Sequence, residues 1–278
     1  MSEALVPLLL ALADDELILG HRHSEWTGWA PHIEEDVAFS SIAQDEIGHA
    51  AAYYSIAGRV TDRDPNVLAF GREAGEYHHA LLCERPNVNW AYTLARHWLY
   101  DHADELRLQS LEGSSHADLA SLATKIRREE RYHLLHADMW LKRLAHGPVD
   151  ARSKLTHALT EAYPDALGLF EPFPQEEQAV KEGLMTVPTA ELRQRFIDVV
   201  ATMLDSFDLP DAVAPVAEQH AEFVASSSGD LIESDAPEND GDAPDVSLGG
   251  RAGKHTEDFD ELWTVMTKTF REVPGATW

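Results

Sequence analysis

The fold of this chain is decided by two stretches, Gln44-Asp45-Glu46-Ile47-Gly48-His49 and Glu129-Glu130-Arg131-Tyr132-His133, which share the motif Glu-x-x-His. Residues three apart lie on one face of a helix, so the carboxylate and the imidazole of such a pair can reach one ion. Each motif is therefore half of a metal site. Two such pairs on facing helices can hold two ions, provided that two further helices each supply a carboxylate.

The first missing carboxylate is predicted to be Glu16. It lies on the apolar stripe of the first helical stretch, formed by Leu5, Leu8, Leu9, Leu12 and Leu19, where a charge needs a partner. The turn Thr27-Gly28-Trp29-Ala30-Pro31 reverses the chain, and the midpoint between Glu16 and Glu46 falls at Pro31. The two carboxylates should therefore lie level in an antiparallel hairpin.

The second missing carboxylate is predicted to be Asp101. The stretch 89–112 places Asp101 and Glu105 on the same face as several apolar side chains, and the turn Gly113-Ser114-Ser115 follows. The midpoint of Asp101 and Glu130 falls at the end of that turn, whereas the midpoint for Glu105 is displaced by about half a helical turn. Asp101 is preferred, and Glu105 is kept as the alternative.

One Glu-x-x-His motif in a chain with 49 acidic residues and 15 histidines is more often a solvated helix face than a ligand pair. Both motifs here lie on the apolar stripes of their helices, and six ligand-type groups are costly to bury without a cation. The hypothesis is a di-metal site, and the alternative is a relic site that holds only a salt-bridge network. The residues of the hypothesis are Glu16, Glu46, His49, Asp101, Glu130 and His133.

The composition excludes several classes of partner. A net charge of -27 leaves no basic footprint for nucleic acid and disfavours anionic membranes, and no apolar run approaches the length of a membrane span.

The scarcity of lysine and the spread of acidic residues resemble the composition of proteins from a high-salt cytoplasm. The apolar start has no basic n-region, which favours a first helix over a signal peptide. The single Cys83 excludes an internal disulfide and fits a reducing cytoplasm.

Helical periodicity runs through most of the chain, and strand signals are nearly absent, so the prediction is an all-α protein. We expect a helical domain over residues 1–225, an acidic flexible loop over 226–250, and a docking helix with a tail over 251–278, which must pack on its own bundle or on a partner. The predicted helices are 3–23, 33–58, 66–83, 89–112, 116–146, 150–170, 174–184, 188–207 and 211–226.

Several stretches resemble the helical subunits of multicomponent phenylacetyl-CoA epoxidases (phenylacetate-CoA oxygenases), most closely the structural or C-type subunit. These are Trp26-Thr27-Gly28-Trp29-Ala30-Pro31, Leu68-Ala69-Phe70, Glu84-Arg85-Pro86-Asn87-Val88-Asn89-Trp90, Glu129-Glu130-Arg131-Tyr132-His133-Leu134, and Gly253-Lys254-His255-Thr256-Glu257 with Pro274-Gly275 and Trp278. The resemblance implies a ferritin-like four-helix bundle with additional helices. It also implies a paralogous di-iron catalytic subunit, a small bridging subunit, a flavin/iron-sulfur reductase, and epoxidation of the ring of phenylacetyl-CoA by O2.

The chain departs from the structural subunits of this family in keeping the complete ligand set, which puts a purely structural role in doubt. Iron suits this donor set, and electrons must come from outside because the sequence has no Rossmann fingerprint and no cysteine cluster. An anionic acyl-CoA would need basic residues, for which Arg127, Arg128 and Arg131, or Lys142 and Arg143, are options.

Two alternative functions are a scaffold subunit without metal and a ribonucleotide reductase-like small subunit. The second is considered because Tyr53 lies one turn beyond His49. Ferritin-type iron storage fits the acidic loop and the docking helix less well.

Overall fold

The computed structural model describes residues 3–213, 248–273 and 275, and the described residues form an all-α protein, as predicted. The long helices are α1 (Leu5–Ser24), α2 (Ile33–Thr61), α5 (Trp90–Glu112), α6 (Ala117–Ala145), α7 (Val149–Leu167), α9 (Thr189–Ser206) and α10 (Glu257–Glu272). The short helices are α3 (Pro65–Phe70), α4 (Leu81–Glu84) and α8 (Glu176–Lys181). Single 3₁₀ turns cover Ala74–Glu76, Gly168–Phe170, Pro210–Ala212 and Gly250–Ala252.

Two antiparallel hairpins, α1 with α2 and α5 with α6, form the four-helix bundle that places the candidate site. Helices α7 and α9 pack against α5. Local sequence explains two helix starts, since Asn89 accepts a hydrogen bond from the backbone N–H of Tyr92 and Asp64 accepts one from Asn66. None of the helices that the structure describes is long and apolar enough to cross a membrane.

Gly20 lets the first hairpin close tightly at the level of the candidate site. A Cβ atom at Gly20 would lie 2.9 Å from Ile47 and 3.0 Å from the Cβ of Glu46. Real side chains essentially never pack that closely, so α1 approaches α2 because residue 20 has no side chain. This contact brings Glu16, one turn earlier, beside Glu46.

The predicted continuous helix over 66–83 is wrong. Helix α3 ends at Phe70, and the chain passes through a 3₁₀ turn and an extended stretch before α4 begins at Leu81. The backbone N–H groups of His78 and Ala80 donate to Asp14 and Asp15 of α1, at 2.7 and 2.8 Å. These groups satisfy buried carboxylates instead of helical carbonyls, which is why the helix is interrupted.

The C-terminal part of the described chain packs on its own bundle. Helix α10 contacts α3, α4 and the turn Ala74–Glu76, and Phe259 is fully buried there. Most of the predicted helix 211–226, most of the predicted acidic loop 226–250, and the tail beyond residue 275 lie outside the described residues. The domain boundaries at 225 and 250 therefore stay a prediction.

Candidate metal centre

Glu16 of α1 meets the first Glu-x-x-His motif inside the bundle. One ligand atom from each of Glu16, Glu46 and His49 lies within 4.8 Å of the others, and the three residues are at most 2% exposed. The Nδ1 atom of His49 lies 3.4 Å from Glu16 Oε2. The two glutamates therefore lie level, as the midpoint at Pro31 predicts.

The second motif joins the first through Glu46. Ligand atoms of Glu46, Glu130 and His133 also lie within 4.8 Å of one another. His133 Nδ1 is 3.0 Å from Glu130 Oε1 and 3.7 Å from Glu46 Oε1, and His49 Nδ1 is 3.4 Å from Glu130 Oε1. The structure thus brings five of the six predicted residues into two adjoining groups that share Glu46.

Both histidines are oriented by carboxylates that our sequence reasoning missed. His49 Nε2 lies 3.1 Å from Glu129 Oε2, and His133 Nε2 lies 3.4 Å from Asp45 Oδ2. If each Nε2 carries the hydrogen of this bond, the Nδ1 lone pair faces the centre, an orientation that metal-binding histidines commonly need. The signal was present in the sequence, because an acidic residue directly precedes the glutamate of each motif.

The two candidates for the sixth position differ in surroundings. Asp101 is 1% exposed, lies outside both groups of three, and lies 3.2 Å from the Nδ1 atom of His97. Glu105 is half-buried and accepts hydrogen bonds from Arg127, at 2.7 Å, and from Gln109. The charge of Glu105 is therefore balanced by arginine, and Asp101 is the better candidate.

The buried polar atoms of the centre fit a cation. Among the described residues, the buried side-chain atoms without a hydrogen-bond partner include oxygens of Glu16, Glu46, Asp101 and Glu130 and the Nδ1 of His49. Buried oxygens without donors are costly, and no lysine or arginine supplies an ion pair to these four carboxylates among the residues that the structure describes. Carboxylate oxygens and imidazole nitrogens are the donor set of iron and manganese sites.

Protons balance the same charges when no cation is present. Burial and the neighbouring charges of Glu16 and Glu130 raise the pKa of Glu46 well above its usual range. Burial raises the pKa of Asp101 to about 7. Burial alone would lower the pKa of His49, but hydrogen bonding and charge from Glu16 raise it to about 9. Metal binding must therefore displace protons from this centre.

Two buried tyrosines lie near the centre. Tyr100 donates a hydrogen bond to Glu16 Oε1 at 3.2 Å and is fully buried. Tyr53 is 1% exposed, and burial, followed by the charges of Asp104 and Glu16, raises its pKa well above the usual range. Tyr100 is thus a tyrosine that contacts a candidate ligand. From the sequence, Tyr53 was singled out instead, in the ribonucleotide reductase-like alternative.

A third cluster, of His79, Glu84 and His255, was not found from the sequence. Both histidines lie within 2.9 Å of Glu84 Oε2, and their rings stack with centroids 4.0 Å apart. His255 also faces the Tyr77 carbonyl at 3.0 Å, and Thr256 donates to Glu84 Oε1. Both nitrogens of His255 face acceptors, and Glu84 is satisfied by both rings and by Thr256, so this cluster attaches the start of α10 to the bundle.

The four-helix bundle is antiparallel, and it directs carboxylates and the histidines of two Glu-x-x-His motifs at its centre. These features define the class of ferritin-like carboxylate and histidine proteins. A family model described as phenylacetic acid catabolic protein matches residues 1–225, and the chain belongs to this family. It is 27% identical over 270 residues to the C-type subunit of 1,2-phenylacetyl-CoA epoxidase from Escherichia coli (strain K12), covering 97% of each chain. The resemblance stated from the sequence is confirmed.

Proposed function

We propose that this chain is a subunit of a multicomponent oxygenase that epoxidises the aromatic ring of phenylacetyl-CoA in phenylacetate catabolism, and that it holds a di-iron centre. Two findings support the first part, namely membership of the family and the similarity to the C-type epoxidase subunit along almost the whole of both chains. The second part rests on the buried carboxylate oxygens that have no hydrogen-bond donor among the described residues, and whose carboxylates pair there with histidines and not with lysine or arginine.

In this proposal Glu16, Glu46, His49, Glu130 and His133 would hold the two irons, with Asp101 as the sixth ligand residue. Iron in such a set supplies activation of O2. The chain's own contribution is to keep both Nδ1 lone pairs directed at the centre through Glu129 and Asp45, and to exclude water by burial.

The proposed partners are a paralogous catalytic helical subunit, a small bridging subunit and a flavin/iron-sulfur reductase. An external electron source is needed because the chain's one cysteine, Cys83, is buried and cannot form an iron-sulfur site alone. A cytoplasmic location belongs to the same proposal, since a free thiol suits a reducing compartment.

The second candidate is a scaffold subunit without metal. It is favoured by the pKa values of the centre, because a protonated Glu46 and a charged His49 already compensate the remaining carboxylates. A retained polar core of this kind needs no cation. In that case the catalytic iron belongs to a partner.

Metal analysis separates the two candidates. The protein is purified from iron-supplemented cells, alone and after co-expression with its partner subunits, and the iron of each chain is measured. We expect about two irons per chain, lost in His133→Ala and Glu46→Ala with unchanged helical content, whereas the 82% exposed His157 tolerates the same substitution. A metal-free wild-type chain beside an iron-loaded partner would identify the scaffold.

The oxygenase assignment is tested separately from the metal. The reconstituted complex should consume O2 and form the epoxide only with phenylacetyl-CoA present, and omission of this chain should abolish both. Full activity without this chain would overturn the assignment, whatever its metal content.

A further inference from the structure

Helix α6 is positively charged in a strongly acidic chain. It carries six basic and four acidic residues, a formal net charge of +2, in a protein of net charge -27. Every other described helix of 16 or more residues has more acidic than basic residues. The basic residues of α6 are Lys125, Arg127, Arg128, Arg131, Lys142 and Arg143.

The outer side of α6 is also apolar. Tyr132, Leu135 and Met139 are 75%, 68% and 54% exposed, and their spacing of three and four places them on one side of the helix. Two exposed residues at the start of α2, Ile33 and Val37 (77% and 66%), belong to the neighbouring helix. Large side chains exposed at this density commonly mark an interaction site.

Two of the arginines beside this stripe are free to bind a partner. Arg127 is occupied by Glu105 and Glu112, each at 2.7 Å, whereas Arg128 and Arg131 are exposed and have no ion pair with the residues that the structure describes. Both line a surface groove of about 410 Å³ between α5 and α6. We use the name "α6 face" for Arg128, Arg131, Tyr132, Leu135 and Met139.

The α6 face lies on the outer side of the helix that supplies Glu130 and His133 to the candidate centre. Beside it are the two outer carboxylates that orient the histidines, Glu129 and Asp45, whose side chains are 38% and 47% exposed. A protein seated on this side of the bundle would cover these carboxylates. Its binding would strengthen their hydrogen bonds by removing water.

We infer that the α6 face is the docking surface for an acidic protein subunit of the oxygenase complex, one that presents carboxylates beside an apolar ridge. The inference rests on the proposed function. Charge complementarity selects an acidic partner, because the two free arginines stand out on a chain that otherwise repels anions. The apolar stripe selects a protein over a small anion, since phosphate groups would use the arginines and leave Leu135 and Met139 exposed to water.

The test measures binding of each separately purified epoxidase subunit of the same organism to the full-length chain. The double variant Arg128→Glu/Arg131→Glu should weaken binding of the partner by about tenfold or more at low salt, and the uncharged variant Leu135→Asn should weaken it at all salt concentrations. Matched controls are Lys154→Glu and Arg195→Glu, which make the same charge changes on α7 and α9 at exposed sites and should leave affinity unchanged. Metal content should stay the same in all variants.

Other outcomes overturn the inference in distinguishable ways. Equal affinity of wild type and all face variants would place the docking surface elsewhere and leave the proposed function standing. If no subunit binds the wild type, the proposed function fails as well. Phenylacetyl-CoA binding that is lost with the arginines but not with Leu135→Asn, beside intact subunit binding, would assign the groove to a ligand. Self-association that Leu135→Asn abolishes in sedimentation would assign the face to a second copy.

Discussion

Three consecutive acidic residues of α1, Asp14, Asp15 and Glu16, are all buried, yet they belong to two different kinds of site. Asp15 accepts hydrogen bonds from Arg107 at 2.5 Å, from Arg251 at 2.7 Å and from the backbone of Ala80 at 2.8 Å. Burial alone would raise its pKa, but the two guanidinium groups lower it below the usual value. Asp15 is therefore a carboxylate with its cations already supplied.

Asp14 is also paired with an arginine, whereas Glu16 is not. Asp14 pairs with Arg72 and accepts hydrogen bonds from Tyr54 and from the backbone of His78. Glu16 points at Glu46 and His49, and its Oε2 atom has no hydrogen-bond partner among the residues described. Burial of an acid is thus not a sign of metal binding, whereas a group of buried acids with histidines and without an arginine or lysine partner is.

The largest expected effect is on the arginine-balanced site. Asp15→Ala leaves Arg107 and Arg251 buried without their shared counter-charge, so the free energy of unfolding should fall by about 3–5 kcal/mol. Urea denaturation measures this. The control Glu191→Ala removes an exposed acid from a surface pair and should change stability by less than about 1 kcal/mol. A similarly small change for Asp15→Ala would remove the contrast between the two sites.

Glu46→Gln should change metal content strongly and stability little, in contrast to Asp15→Ala. Glu46 is shared by both groups of candidate ligands and is held protonated by burial, so a neutral isostere fits the metal-free protein and should change its stability by less than about 1 kcal/mol. Metal content should fall to background. Elemental analysis and denaturation in chelator measure both quantities, with the exposed Glu34→Gln on the same helix as control. Metal retained by Glu46→Gln would contradict the assigned centre.

Removing an outer carboxylate should weaken metal binding without abolishing it. Glu129→Gln and Asp45→Asn take away the acceptors that orient His49 and His133, and a loss of about 10- to 100-fold in metal affinity is expected. Titration with Co²⁺ against a chelator measures the loss. Glu177→Gln is an exposed control on α8. If both variants bound metal as tightly as wild type, the histidines would be positioned by packing alone.

Metal affinity should depend on pH with a defined sign. The pKa of His49 is raised to about 9 and that of Asp101 to about 7, so below these values protons occupy the atoms that a metal needs. Affinity should therefore fall as the pH decreases, by about tenfold per pH unit for each displaced proton. Co²⁺ titrations across this range, with proton release followed in weak buffer, measure the slope. A flat profile would show that these groups are not ligands.

The smallest effect is expected at the alternative sixth ligand. Glu105→Gln removes an acceptor of the partly exposed Arg127 and should leave metal content unchanged and stability within about 1 kcal/mol. Asp101→Asn should reduce metal content. The reverse result would exchange the roles of the two residues.

The fold could be predicted because periodicity, caps and turns are local. The bounds of α1, α2, α5, α6 and α9 follow the apolar stripes to within a few residues. The break in the predicted helix 66–83 could not be found this way, since its cause is the pairing of His78 and Ala80 with α1. Local propensity for a helix was overridden by the need to satisfy buried carboxylates.

The candidate site likewise contains residues that the sequence could predict and residues that it could not. Glu46, His49, Glu130 and His133 are readable because helical spacing fixes which side chains share a face. The cluster of His79, Glu84 and His255 and the pairing of Asp15 with Arg251 join residues far apart in the chain, for which no spacing rule exists. The sequence also cannot state whether an acid such as Asp101 or Glu105 has an arginine partner, and that partner distinguishes them here.

The ion pair between Asp15 and Arg251 joins residues that are 236 positions apart, and this separation orders events during synthesis. A growing chain folds from its N-terminus, but Asp15 lacks one of its two arginines until residue 251 has left the ribosome. Arg251 also donates to the carbonyl of Ala11 on the same helix and to those of His78 and Leu169, so two further segments also depend on it. The helix that carries Glu16 therefore reaches its final environment only after residue 251 has been synthesised, and a chain stalled or truncated before this residue should be a substrate for proteolysis.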